Sequence, residues 1–218
     1  MRMDLHTHSI LSDGELTPSE LVRRAMVLEH DAIAITDHVD MTNVDIVVPA
    51  IMKAVELSSD YIRAIPGVEI THVPPKQMKK VIKRAKELGA QWIVVHGETV
   101  AEPVIKGTNS AAVSDPDVNV LAHPGLISDK DMQKAVENNI LIEVTGRAYH
   151  NITNGHVVNV ARKFNAKIIV NSDCHAPGDL MDRARAMTVA EGAGMTENES
   201  KEAIDVTPFK ALKDLGLW

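Results

Sequence analysis

The sequence predicts an α/β protein of parallel strands closed as a seven-stranded (β/α) barrel of TIM-like type, with a doubly wound open sheet as the alternative. Three observations carry that prediction. Short β-branched runs recur through the 218 residues, centred near Asp4, Ile33, Ile65, Ile93, Val120, Ile142 and Ile169. Their separations of 29, 32, 28, 27, 22 and 27 residues are those of a strand, a crossover helix and two loops. Runs such as Ile140-Leu141-Ile142 and Lys167-Ile168-Ile169-Val170 are close to continuously apolar, as parallel strands covered on both faces require. Helix signals fill the intervals, and no Pro-, Gly- or Ser-rich linker divides the chain.

The first strand is read over Met3–His8. Thr17 before Pro18, with Glu20 three residues on, then forms an N-cap, an N1 proline and a capping-box acid, and Leu21, Ala25 and Leu28 supply the buried stripe. Strands follow at Ala32–His38 and Ala64–Ile70, Pro75 opens a helix ending near Leu88-Gly89, and Trp92–His96 is the fourth strand. The segment Gly97–Asp117, with Glu98, Glu102, Lys106, Thr108 and Asn109, is long for a βα connection. Such loops set specificity at a barrel's catalytic face. Val118–His123 is the fifth strand, Ser128 caps a helix through Met132, Ala135 and Val136, and Ile140–Thr145 and Lys167–Asp173 complete the seven. Beyond them Asp179–Gly192 reads as a helix, and Thr196-Glu197-Asn198-Glu199 as a capping box opening a short helix before Pro208. Residues 1–218 are taken as one domain. Within it, 196–218 form a C-terminal helical tail whose Phe209, Leu212, Leu215, Leu217 and Trp218 pack on the barrel, a homo-oligomer remaining possible.

Composition removes several functions. A single cysteine excludes an intrachain disulfide, a zinc ribbon and a thioredoxin-type pair, and a reducing cytoplasm is the expected compartment. The N-terminus breaks into charge and imidazole at once, so neither a signal peptide nor a membrane span is expected. A formal charge of −7, with six aromatic residues and no interleaving of basic and aromatic side chains, argues against a dedicated nucleic-acid surface. Against those six aromatics stand ten histidines.

Position within each βα unit explains the histidines. His6 and His8 end the first run, Asp37 and His38 the second, Glu69 the third, His96 the fourth and His123 the fifth; Glu143 lies in the sixth, and Asp173, Cys174 and His175 end the seventh. In a barrel those ends surround one mouth. Side chains two apart share a face, so His6 joins His8 and Asp173 joins His175, while Cys174 points away as a small core residue. Imidazole and carboxylate oxygen suit Zn, Mn and Fe, and burying several of them together is costly without a cation.

These residues also resemble a known family. Asp4-Leu5-His6-Thr7-His8, Asp13, Ile35-Thr36-Asp37-His38, Gly67-Val68-Glu69, His96-Gly97-Glu98, Ala122-His123-Pro124-Gly125 and Ser172-Asp173-Cys174-His175 are similar to the ordered motifs of the polymerase and histidinol phosphatase (PHP) superfamily, over about residues 3–190. The resemblance implies a distorted seven-stranded barrel and three divalent ions (Zn, Mn or Fe) used in phosphoester hydrolysis. It implies that His6, His8, Glu69 and Asp173 hold one ion, that Glu69 bridges to a second held by His96 and His123, and that Asp13, His38 and His175 hold the third. Asp13 stands where other members can carry histidine, a change that favours a harder metal.

The expected reaction is hydrolysis of a small, histidinol-phosphate-like phosphomonoester by a water or hydroxide activated at the trinuclear site. Asp173 or Asp37 would orient that water or a ligating imidazole. Arg147 is the first choice for the phosphate, followed by Arg183 and Arg185, with Lys106 and His72 as further substrate contacts. Glu98 and Glu143 either orient ligands or pair with lysine or arginine. No site role is expected for His30, read as a surface residue, or for His150 and His156. Three rival functions are weighed: a phosphodiesterase or nuclease on the same metals, an amidohydrolase-like barrel, which would want eight strands and a lysine where this chain has His96, and a non-catalytic PHP-like subunit, which would show eroded ligands.

Overall fold

The computed structural model describes residues 1–58 and 62–218. All strand pairs are parallel: β1 (Met3–Asp4), β2 (Ala32–Ile35), β3 (His38–Val39), β4 (Arg63–Ile70), β5 (Trp92–His96), β6 (Val120–Ala122), β7 (Leu141–Thr145) and β8 (Ile168–Asn171). Their order is β1-β2-β4-β5-β6-β7-β8, with β3 paired to β4. The expected second strand is thus broken in two. Thr36 and Asp37 interrupt it, because their hydrogen bonds turn to the loop after β1: Thr36 N donates to Thr7 O at 2.8 Å, and Ser9 N donates to Asp37 Oδ1 at 2.8 Å. With β3 counted as the continuation of β2, the molecule is a near-closed barrel of seven parallel strands, as expected.

Closure joins β8 to the segment after β1. Thr7 bridges Cys174, His8 N donates to Cys174 O at 2.9 Å, and Asp173 N donates to His6 O at 3.1 Å. Below them, Leu5 N donates to the Asn171 side chain at 3.0 Å.

Helices cover the outside: α1 (Pro18–Val27), α2 (Val44–Ser58), α3 (Pro75–Glu87), α4 (Thr108–Val113), α5 (Asp129–Glu137), α6 (Asn154–Phe164), α7 (Arg183–Gly192), α8 (Glu197–Lys201) and α9 (Thr207–Asp214). Thr17, Ser128 and Thr196 cap α1, α5 and α8 as their sequence spacing predicts. α7 begins later than expected. Its N-cap is Asp182, and the Asp179 carboxylate is instead engaged by the backbone N–H groups of His175 and Ala176. Nor does the last helix stop before Pro208. A π-helical turn over Glu202–Val206 links α8 to α9 and places Pro208 in the first turn of α9, so the missing N–H and the ring are accommodated where the α-helical ladder is already opened.

Two apolar cores result. Outward side chains such as Ile33, Ile93, Ile142 and Val170 pack under the helices. Inside the barrel lie Met3, Leu5, Ala32, Ala34, Ile65, Trp92, Val94, Val120, Ala122, Leu141 and Ile169, and Leu212 of α9 joins them, with Phe209 and Leu217 against the cluster. Leu215 and Trp218 remain 48% and 41% exposed. Inward positions change character along each strand: Ile65, Gly67 and Glu69; Trp92, Val94 and His96; Leu141 and Glu143; Ile169 and Asn171. The base is apolar and the mouth polar. Gly67 is required where strands crowd, since a Cβ there would lie 2.8 Å from Trp92 O.

Behind β1 the Arg2 guanidinium is buried, donating to Asp4 Oδ2 at 2.7 Å and to the carbonyls of Met3, Val170 and Met181. Arg2→Ala removes the counter-charge of the buried Asp4 carboxylate, which keeps Ser172 N as a donor, and is expected to cost about 3–5 kcal/mol. Leu212→Ala opens the sealed base at about 2–5 kcal/mol. Both are read by urea unfolding.

Candidate metal centre

The donors stand on strand ends and the loops just beyond them. Met3 and Leu5 face into the barrel, so strict alternation would send His6 outward. The phase shifts between Leu5 and His6, where the Asn171 amide replaces a strand carbonyl as acceptor, and His6 and His8 both turn inward. Left-handed backbone occurs at Asp173 (φ 53°), His123 (φ 26°) and His72 (φ 51°), a strain that collects at functional sites.

Four overlapping groups converge, each with donor atoms within 4.8 Å of one another: His6, His8 and Glu69; His6, His123 and Asp173; His8, Asp13, His38 and His175; and His96, His123 and His150. Glu69 lies between them. Its Oε1 is 3.4 Å from Nε2 of both His6 and His123, and its Oε2 is 3.5 Å from His8 Nε2. Asp173 Oδ1 is 3.2 Å from His8 Nε2, and Asp13 Oδ1 is 3.4 and 3.3 Å from Nε2 of His38 and His175.

Neighbours fix which imidazole nitrogen faces the centre. His6 Nδ1 donates to Glu143 Oε1 at 2.8 Å, His96 Nδ1 to Gly97 O at 3.1 Å and His175 Nδ1 to Asp173 O at 3.0 Å, while His38 Nδ1 is 2.6 Å from Thr71 Oγ1. Nε2 of His6, His96 and His175 is thereby left to face the donors, the arrangement that prepares histidine as a ligand, whereas His38 also sets Nδ1 2.8 Å from Glu69 Oε2.

Both oxygens of the fully buried Glu69, and Oδ1 of Asp173, lack a well-aligned hydrogen bond, although His38 Nδ1 stands 2.8 Å from Glu69 Oε2. Burial would push these carboxyls upward, yet the His6 charge, with His38 and His96 on Glu69 and with His8 and His123 on Asp173, holds both well below the usual range. The imidazoles divide accordingly. Burial and repulsion from His38 push His8 down to about 3, whereas on His38 the effect of burial is overcome by Glu69 and Asp13, and it rises to about 10. Ionised carboxylates enclosed among mutually repelling imidazoles, with no well-aligned hydrogen bond to either Glu69 oxygen, call for a compensating cation. The residues present fit divalent metal ions.

The sequence profile of the PHP domain matches residues 4–153. The chain belongs to the PHP domain family. An uncharacterized protein of Methanocaldococcus jannaschii is 50% identical over 216 residues, 98% of this chain and 99% of its own. Ribonuclease P protein component 3 of Methanosarcina barkeri is 24% identical over 96% of this chain and 87% of its own. A 5′-3′ exoribonuclease of Salmonella typhimurium is 44% identical over 70 residues, 32% of this chain and 22% of that protein. In fold, a chain from the cryo-EM structure of an archaeal ribonuclease P with mature tRNA superposes over 98% of this chain and 91% of its own, with a TM-score of 0.75 at 16% identity.

Within this PHP domain the nine residues His6, His8, Asp13, His38, Glu69, His96, His123, Asp173 and His175 all reach the mouth. The remaining side chains divide between the mouth and other parts of the barrel. Asp37 is engaged by the loop after β1: Ser9 N and Ser12 Oγ donate to its Oδ1 and Ser9 Oγ to its Oδ2, so it anchors the loop that carries Asp13. Arg183 lies at the barrel base, paired with Asp205 at 2.6 Å close to the N-terminal amine, because the chain runs back down the barrel before α7 begins. Arg185 donates to Gly178 O, behind the loop bearing His175. Arg147 pairs with Asp179 at 3.2 Å, beside the His175 backbone. Lys106 is exposed on its loop. His72 stands at the rim, its ring centroid 5.3 Å from that of His96.

Glu143 pairs with no lysine or arginine; it holds His6, and also accepts from Asn171 and from the His123 backbone. Glu98 organises its own loop through Gly107 N and Asn109 N. His30 is buried, donating to Met181 O, and so is not a surface residue. His156, on α6, donates to Ile127 O, and Cys174 packs in the outer core.

Two side chains to which the sequence reading assigned no ligand role stand beside the donors, His150 and Glu102. Each follows a strand end by only a few residues, the same signal that marked the others, but a loop's path decides whether it returns to the mouth. Because Glu143 orients His6 without facing the centre, Glu143→Ala is expected to weaken metal affinity by about 10- to 100-fold, read by competition with a chromogenic chelator.

Proposed function

We propose that this PHP domain is a metal-dependent phosphoesterase that hydrolyses a small phosphomonoester in the cytoplasm. The observation that carries the reading is the buried Glu69 carboxylate, without a well-aligned hydrogen bond, among convergent imidazoles. His6, His8, Glu69 and Asp173 would hold one ion, Glu69, His96 and His123 a second, and Asp13, His38 and His175 a third. Such ions supply Lewis-acid stabilisation of phosphoryl oxygens and lower the pKa of water.

The chain's own groups do the rest. Glu143 and the carbonyls of Gly97 and Asp173 hold His6, His96 and His175 in one tautomer. Asp173 Oδ1, which accepts no hydrogen bond, is the carboxylate oxygen left to orient an attacking water. Arg147 is the guanidinium best placed for a phosphate oxygen, since it shares Asp179 with the loop of His175.

A second reading, hydrolysis of a phosphodiester at an RNA end, is favoured by two observations. Relatives of this chain are named as ribonucleases. In addition, Ile10, Met41, Val100, Leu126, Tyr149 and Ile152 are exposed on the loops that follow the strands, offering apolar contact beyond what a small charged substrate requires. In that reading a nucleic acid takes the place of the small-molecule partner. Retention of all nine donors disfavours a purely structural subunit.

Metal-stripped protein is expected to lose hydrolysis of p-nitrophenyl phosphate to background and to regain it with Zn, Mn or Fe; unchanged activity after stripping would sink the proposal. Faster cleavage of bis(p-nitrophenyl) phosphate and of an end-labelled oligoribonucleotide would select the second reading.

A further inference from the structure

We infer that Glu102 and His150, neither of them among the nine family positions, are additional ligands of the ion at His96 and His123, with His72 holding Glu102 in place. The inference rests on the metal reading above and extends it to residues of two loops.

Geometry supplies the first support. His96, His123 and His150 are all buried, and their donor atoms lie within 4.8 Å of one another. The ring of His150 is 4.6 Å from that of His123 and 6.0 Å from that of His96, centroid to centroid. His150 is only 7% exposed, and its Nδ1 has no hydrogen-bond partner. A buried imidazole nitrogen with nothing to bond is costly to keep. It is brought there by Tyr149, whose φ of 69° turns the chain into the short helical turn His150–Thr153. A tyrosine in left-handed backbone is a strain that persists only where the surroundings impose it.

Glu102 supplies the second. Its carboxylate meets three imidazoles from three different connections: Oε2 is 3.3 Å from His96 Nε2 and 3.1 Å from His72 Nε2, and Oε1 is 3.4 Å from His150 Nε2. His96 Nδ1 is already committed to Gly97 O, so the nitrogen facing Glu102 is the one free to ligate. A carboxylate at the rim of a phosphate site repels phosphate oxygens unless a cation stands between them. As a ligand, Glu102 adds charge to the ion beside it; as a bare rim acid it would only oppose substrate. The outer ion would then have two more protein ligands than Glu69, His96 and His123 provide, and fewer open positions.

The test is metal binding, independent of turnover. Wild type, Glu102→Gln, His150→Ala and His72→Ala are loaded with Zn, dialysed against graded chelator and analysed for metal per chain, with Co(II) absorption spectra reporting on coordination. One equivalent is expected to bind about 10- to 100-fold more weakly in Glu102→Gln and His150→Ala, with an altered Co(II) spectrum, and more modestly so in His72→Ala. Glu102 is 38% exposed, so its glutamine variant keeps the fold, which melting of the metal-free forms checks. Wild-type protein that binds no metal would overturn both this inference and the metal reading. Wild-type binding matched by Glu102→Gln and His150→Ala would overturn this inference alone.

Discussion

Everything at the mouth follows from enclosing Glu69 and Asp173 in a barrel that surrounds them with imidazoles and gives them few well-aligned hydrogen bonds. Two ionised carboxylates in a low-dielectric interior repel each other and lose their hydration, and both effects grow as water is excluded. Protonated imidazoles compensate only in part, because they repel one another: His38 is driven up by Glu69 and Asp13, and His8, stacked against it at 4.2 Å, is driven down. A cation at the centre removes both conflicts, since neutral imidazoles and ionised carboxylates can then face it together.

The same residues close the barrel. The seam between β8 and the first segment is made by His8 N to Cys174 O, Asp173 N to His6 O and the Thr7–Cys174 bridge, so the backbones of three donors carry the hydrogen bonds that complete the ring. Asn171 links scaffold to site. Its Oδ1 accepts from Leu5 N, and its Nδ2 donates to Glu143 Oε1, the atom that also holds His6. Barrel closure and ligand convergence are therefore one event, and a loss of register at the seam would disperse the donors along with the fold.

That coupling explains which features could be read from sequence. Donors at strand ends were legible because a parallel barrel converts the end of each apolar run into a point on one ring, and the seven runs themselves were marked by period and composition. Residues whose place depends on a loop's path were not. Arg183 follows the last strand by a dozen residues, yet the connection descends to the base and delivers it to Asp205. His150 stands five residues beyond β7 and returns to the centre through a left-handed tyrosine, which no periodicity encodes. Asp37 is adjacent to a donor in sequence, but two serines of the neighbouring loop claim its oxygens. His30 looked like a helix-end residue because its partner, Met181 O, lies 151 positions away.

Access to the centre is one-sided for a physical reason. A groove of about 720 Å³ opens at the other end of the barrel and is lined by Trp92, Asn119, Leu141, Lys210 and Ala211 among others. Its size alone gives it no link to the donors, since Trp92, Val94, Leu141 and Ile169 pack across the interior between the two. The Trp92 indole is tied to Leu5 O at 2.9 Å, and Leu212 completes the apolar layer from below. A polar substrate entering from the base would have to displace that layer and forfeit its burial, roughly 1.5–3 kcal/mol for each large side chain. The barrel shape by itself decides no chemistry. What decides it here is that a greasy floor and a charged mouth leave one approach, along which a substrate meets the loop residues Glu102, His72 and Tyr149 before it meets the buried carboxylates.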